Sequence, residues 1–338
     1  MNEKSRFRRR FINYKTMIGL GISVLGLYLG FRKFDSREFF MSLKETDLLL
    51  FFLAMLLMIF SIYLRSIRWK YLVLPLKKVP LKDLFGSMMI CYFGNNVFPL
   101  RAGELLRAYS LHKVTLLSTI SIFGTVVVER ILDMIVFMII LLVSAVIFPA
   151  MPVWVKWSGA AAGAGLIMIA VLYVLYQRRR EPIKRYLNSK LHSSSHTKIL
   201  QPVRHFLRGI RTLRNTPHLG LISVLSAIIW LLAIFEYWLI GSSLHVFFSI
   251  QNLLLIFFVT SAIISVPSAP GYVGTYHAGA IGILVYLGYE LSQAQVIAVI
   301  LHAVGFLSLT LIGFIYFIKY HIHVQDTSLK EVQIDNDY

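Results

Sequence analysis

Cysteine is nearly missing from this sequence, and acid is scarce. The single cysteine, Cys91, cannot form an internal disulfide, which excludes a disulfide-stapled scaffold and leaves the redox compartment unreadable. Asp and Glu number 16 against 34 Lys and Arg. Charged residues of both signs make up 15% of the 338, while hydrophobic residues make up 57%. A soluble chain of this length needs a far more polar surface, so a soluble globule is excluded. Enzyme signatures are missing too: there is no "HExxH", no Walker loop and no "GxSxG". His321, His323 and the "DND" at 335–337 are weak metal signals, and neither a metal nor a cofactor is expected. No short-period repeat is present, and no small-residue cleavage site follows the first apolar stretch, which therefore reads as an uncleaved span.

What the chain does have is length in its apolar runs. Spans fall near 14–31, 47–64, 131–150, 153–176, 219–241 and 296–318, each close to the ~20 residues that cross a bilayer. The expected fold is an all-α polytopic transmembrane helix bundle, with about six full crossings in one domain over 1–325 and a mobile tail over 326–338.

The net charge of +18 is compatible with nucleic acid, but its distribution points to a membrane. Residues 1–15 carry six bases and one acid, and residues 177–218 carry eleven Lys or Arg against Glu181 alone. Arg65, Arg68, Lys70, Lys77, Lys78 and Lys82 form a third basic block. Between these blocks, residues 32–47 balance four bases with four acids, and 242–250 have no formal charge. That alternation is the positive-inside pattern, with anionic-lipid contact as a secondary role. It places both termini and loop 177–218 in the cytoplasm of a multi-pass cell-membrane protein, and no nucleic acid is expected. Within the loop, Val203, Phe206, Leu207, Ile210 and Leu213 alternate with arginines at helical spacing. They suggest an interfacial helix on the inner leaflet or a solvated cytoplasmic helix.

Two apolar segments do not fit as simple crossings. Residues 83–113 break at Pro99, and residues 250–289 break at "PSAPGYVG". Paired interruptions in two halves, entering from opposite sides, are the sequence pointer to a transporter site. They are read as two broken, re-entrant helical hairpins in an inverted-repeat-like arrangement; ordinary kinked helices are the plain alternative.

The polar residues at these breaks are the candidate site. In "NNVFPLRAGELLRAYS", Pro99 suits a helix start. Arg101, Glu104 and Arg107 then fall on an arc of about 120°. One carboxylate neutralises one guanidinium, so a positive charge remains beside a helix N-terminus, an arrangement that suits phosphate. Asn95 and Asn96 are candidate further donors, and Gly103 supports the turn. The alternative is an interfacial loop whose arginines snorkel to headgroups.

At the second break Pro267, Pro270, Gly271 and Gly274 precede a helix. The glycines are expected to let free N–H groups approach an anion, serving function more than folding. His277, one turn in, is either a titrating residue or a packing one. Between the breaks, Glu129, Arg130 and Asp133 are candidates for gating the site, either as partners of Arg101 or Arg107 or as direct ligand contacts. Counting back from Ala150 puts Glu129 at the inner membrane boundary. Glu236 lies deeper and has no sequence-local partner.

At "NNVFPLRAGELLRAYSL", "VVVERILD" and "SVPSAPGYVGTYHAGAIGIL" the sequence resembles the lysylphosphatidylglycerol synthase transmembrane region family, over nearly the whole chain. That family includes the flippase portion of bacterial multiple peptide resistance factors. The resemblance implies a lipid-translocating membrane fold. Many relatives carry a glutamate where this chain has His277. The aminoacyl-transfer domain of full-length synthases is not seen in the sequence, so lipid aminoacylation is not expected.

The expected function is flipping of an anionic lipid, either a phospholipid or a polyprenyl-phosphate-linked glycolipid. Nothing supplies ATP hydrolysis, so movement runs downhill or on an ion gradient. Two other classes stay open: a membrane transferase acting on a lipid carrier, with Glu104, Glu129 or Asp133 as base, and a non-catalytic partner of a lipid-synthesis enzyme.

Overall fold

The computed structural model describes residues 14–98, 102–169, 171, 175, 209, 211–213, 216–264 and 268–322. Among them every regular element is helical. The helices are α1 (Tyr14–Phe31), α2 (Ser36–Lys44), α3 (Leu48–Val73), α4 (Leu81–Val97), α5 (Gly103–Thr115) and α6 (Thr119–Ile147). Then come α7 (Val153–Ile169), α8 (Leu219–Ser243), α9 (Ile250–Ile264), a 3-10 turn (Pro270–Tyr272), α10 (Thr275–Tyr286) and α11 (Leu291–Lys319).

Helices α3, α6, α8 and α11 are each long and apolar enough to cross a membrane. Shorter apolar helices span Gly19–Phe31, Val153–Ile169 and Ile250–Ile264. Their outward residues are apolar, as lipid contact requires: Leu49, Val146, Leu231 and Leu311 are all exposed. The protein is an all-α, polytopic membrane bundle. The basic N-terminal residues 1–13, most of loop 177–218 with its suggested interfacial helix, and the tail 326–338 lie outside the described residues.

Two spans run further than their sequence pattern suggests. Helix α3 continues past Leu64 to Val73 and buries Arg68 and Trp69 completely. Helix α6 starts at Thr119, so Glu129 sits well inside a 29-residue helix. In both cases a charged side chain fails to end the helix because an opposite charge is packed against it.

The chain divides into two compact units, one from Met1–Ser66, Leu81–Ser110 and Leu231–His323, the other from Ile67–Pro80, Leu111–Trp230 and Val324–Tyr338. In the first unit α11 packs against α4, α10 and α2, while α10 packs against α1 and α9. Leu84, Met88, Met89, Ala294, Ile297 and Val304 are buried there. Near the α11 end, Tyr320 donates to Asp83 Oδ1 at 3.4 Å, and burial, followed by that carboxylate, pushes its hydroxyl pKa up. In the second unit Trp69 Nε1 donates to Thr125 Oγ1 at 2.9 Å. Phe137 of α6 meets Trp230 of α8 at 5.6 Å between ring centroids.

Candidate functional site

Both interruptions are present, and both lie in the first unit. Helix α4 ends at Val97 and α5 begins at Gly103. Glu104 and Arg107 therefore share the first turns of α5. Pro99 and Arg101 lie outside the described residues, as does Pro267. The helix starts four residues after Pro99, and its first N–H is already taken: Gly103 N donates to Asn95 Oδ1 at 3.0 Å. No other residue fits at Gly103, since a Cβ there would strike the Cys91 carbonyl.

Asn96 Nδ2 donates to Thr310 Oγ1 of α11 at 2.8 Å. Both asparagines thus spend polar groups on holding the break together, Asn95 as an acceptor and Asn96 as a donor. Arg107 is fully buried on α5, and a buried guanidinium is retained only where an anionic or strongly accepting neighbour compensates it.

The second break lies against the first. The 3-10 turn packs on α4. A Cβ on Gly271 would come within 3.2 Å of the Asn96 carbonyl oxygen and 2.7 Å of the Phe306 ring. Gly271 (φ +67°) and Gly274 (φ +91°) hold backbone conformations that side chains disfavour. A side chain on Gly274 would also strike the Ser23 carbonyl of α1.

The N–H groups nearby are engaged. Ala269 N donates to Ser23 Oγ at 2.9 Å, Tyr272 N to Ala269 O at 3.0 Å, and Gly274 N to His277 Nδ1 at 3.4 Å. The expectation of free N–H groups facing an anion is corrected at these three positions. The glycines at 271 and 274 are demanded by close helix approach and by positive φ, so they serve folding directly.

His277 is buried at the start of α10 and faces His302 of α11, with ring centroids 4.8 Å apart. His302 Nε2 lies 2.6 Å from the Gly271 carbonyl oxygen. The Tyr276 ring lies tilted beside His302, 5.3 Å between centroids, and Tyr276 shares a hydrogen bond with Tyr237 of α8. Tyr237 also bonds Thr260 Oγ1 of α9 at 2.8 Å. Beside it, Glu236 is 5% exposed, with the Arg65 guanidinium as the opposing charge acting on it.

Glu129, Arg130 and Asp133 belong to the second unit and find a partner the sequence reading left among the topology charges. Arg68 Nη1 donates to Asp133 Oδ1 at 2.7 Å and to Ser226 Oγ at 3.0 Å. Its Nη2 lies 3.8 Å from Glu129 Oε1. Arg130 sits 3.2 Å from Glu129 and 3.6 Å from Asp133, with its own side chain 44% exposed. Both carboxylates are thus engaged by a buried guanidinium.

Sequence reasoning missed Arg68, His302, Tyr276, Tyr237 and Thr310. A signal existed for two of them. Arg68 falls inside a helical apolar pattern that continues to Val73, and His302 is a lone histidine within an apolar span. Tyr237 and Thr310 become polar partners only through packing of distant segments.

Comparison with known families then bears on this geometry. The family described as "Lysylphosphatidylglycerol synthase TM region" matches residues 16–313. The chain belongs to this family. The match encloses both breaks and both polar clusters, so the lysylphosphatidylglycerol synthase TM region is in effect the whole described bundle.

Curated relatives are similar in scale. Two UPF0104 membrane proteins of Methanothermobacter thermautotrophicus are 21% and 22% identical, each over 80% of this chain, covering 83% and 86% of their own lengths. A UPF0104 membrane protein of Methanocaldococcus jannaschii is 25% identical over 78% of this chain and 82% of its own length. No solved structure matches.

Proposed function

We propose that this membrane protein is a flippase that moves an anionic lipid, either a phospholipid or a polyprenyl-phosphate-linked glycolipid, between bilayer leaflets. The observation that carries this reading is the meeting of the two interrupted helices, where the 3-10 turn packs on α4 and a side chain on Gly271 would come within 3.2 Å of the Asn96 carbonyl oxygen. Broken backbone within an apolar bundle is tolerated where protein buries it or a polar cavity adjoins it, and paired breaks mark substrate sites in transporters. Arg101 and Arg107 bind the headgroup phosphate through their guanidinium forks, with Glu104 orienting them. The acyl or prenyl tails remain in lipid. Membership of the family supports the same reading, and headgroup transfer to a lipid acceptor by pure protein would favour a transferase instead.

The test is translocation of a fluorescent phosphatidylglycerol in vesicles reconstituted with the full chain. Arg107→Lys keeps the charge but loses the planar fork. It is expected to slow translocation by about tenfold or more, since a hydrogen bond to a charged group is worth roughly 1.5–3 kcal/mol. Unchanged rates in both Arg107→Lys and Arg107→Ala, at equal folded protein, would remove Arg107 from the site. The orientation we propose puts both termini and loop 177–218 in the cytoplasm of the cell membrane. Labelling of a cysteine placed at position 190 by an impermeant thiol reagent, from outside intact cells lacking Cys91, would overturn it.

A further inference from the structure

Hydrogen positions at the second break follow from its acceptors. The Gly271 carbonyl can only accept, so His302 Nε2, 2.6 Å away, carries a hydrogen. The Gly274 N–H can only donate, so His277 Nδ1, 3.4 Å away, is bare. The neutral His277 ring therefore has its hydrogen on Nε2, and its one open proton-accepting position is the atom that caps α10. A proton on Nδ1 and the Gly274 hydrogen bond exclude each other.

The surroundings make that exclusion consequential. An imidazolium at His277 would sit in the first turn of α10, where the helix dipole opposes positive charge. It would also face His302 of α11 at 4.8 Å between centroids. From α1 it meets the Phe31 ring at 5.8 Å, which brings no charge. Tyr276, its neighbour on α10, lies at 6.2 Å. Behind Tyr276 are Tyr237 and Glu236 of α8, with Thr260 of α9 on Tyr237 and Arg65 of α3 acting on Glu236. No carboxylate among these touches His277 to hold the imidazolium where the neutral ring sits. Uptake of a proton is therefore relieved by movement of the break, whose described bonds to other elements include Ala269 to Ser23 and Gly271 to His302, and whose link to α10 is Gly274 to His277 itself.

We propose that His277 is a proton-binding site that couples proton movement to lipid movement. A proton from the aqueous phase forms a bond to Nδ1, displaces the Gly274 N–H, and frees the 268–274 break; its return to water on the other side restores the cap. No covalent bond in the protein breaks. This inference rests on the lipid-translocation reading and, of downhill movement and an ion gradient, selects the gradient as the driving force.

Two measurements test it on the full chain. In phosphatidylcholine nanodiscs, hydrogen–deuterium exchange over residues 268–277 is followed between pH 8 and pH 5, corrected for intrinsic exchange. Protection is expected to fall about tenfold per pH unit at most once the ring is titrating. It should stay flat in His277→Asn, whose amide oxygen still accepts from Gly274 but does not titrate. Flat protection in the wild type, or the same fall in His277→Asn, overturns the proton site. In phosphatidylcholine vesicles carrying fluorescent phosphatidylglycerol, an imposed pH gradient is expected to speed translocation several-fold in the wild type. Translocation indifferent to the gradient overturns the coupling and leaves the lipid reading standing. Absence of movement under every condition overturns the lipid reading and the coupling with it. The wild-type responses decide the matter even if His277→Asn fails to fold.

Discussion

Arg68 and His277 are both buried polar residues in an apolar bundle, yet their surroundings are opposite in kind. Arg68 is met by two carboxylates and a serine, and with Arg130 the cluster carries two positive and two negative charges. His277 is met by a backbone N–H, another histidine and aromatic rings. The first cluster is stable because opposite charges are already inside. The second brings no opposite charge against His277, so a proton taken up there would shift its balance. Fixed compensation suits a joint between helices; conditional neutrality suits a moving part.

The largest effect should come from opening the charged cluster. Arg68→Ala leaves Glu129 and Asp133 buried without their main counter-charge, a change that costs roughly 3–5 kcal/mol. The expected result is severe loss of folded protein in a detergent thermal-melt assay, with partial rescue when Glu129→Gln and Asp133→Asn are added. A melt within a degree or two of wild type would show that the cluster contributes no joint.

Gly274→Ala comes next. It places a Cβ against the Ser23 carbonyl at a positive φ, strain of order 1–3 kcal/mol. Its melting point should drop clearly, less than that of Arg68→Ala, and exchange should rise selectively over 268–277. If exchange rose equally across residues 119–147, the break would not be separable from the charged cluster.

The smallest effect belongs to Arg130→Gln. This side chain is 44% exposed, and partly exposed pairs contribute about 0–1 kcal/mol. Stability near wild type is expected, and a loss as large as that of Arg68→Ala would mean that charge count rather than burial governs the cluster.

Much of the architecture was legible because membrane helices write themselves as long apolar runs. The two breaks were legible because proline, glycine and amides interrupt those runs. Helix ends were less so. A basic residue ordinarily closes a span, so Arg65 and Arg68 pointed to an end near Leu64, whereas pairing with Asp133 lets α3 run to Val73.

Roles within the site were harder still. Asn95 and Asn96 offer donors and acceptors alike, and only three-dimensional placement commits Asn95 to the Gly103 N–H and Asn96 to Thr310. The same holds for Gly274: its spacing announces a special backbone, and only α1 packed beside it shows why a side chain is excluded. His302 gave a fainter sign, one histidine in an apolar helix, with its partner Gly271 about 30 positions away.

The contacts of α1 have a consequence for biosynthesis. Ser23 accepts the Ala269 N–H, the Gly30 carbonyl accepts from Gln295 of α11 at 2.7 Å, and the Gly274 carbonyl lies within 2.7 Å of where a side chain on Gly26 would begin. The ribosome delivers α1 more than two hundred residues before the segment it completes. Through all that synthesis the first helix must wait beside the insertion machinery with its small-residue face uncovered. The second break, once made, has no acceptor for Ala269 until α1 docks. The second break is thus completed by a helix made long before it, and its closure depends on α1 still being at hand when residues 268–274 emerge.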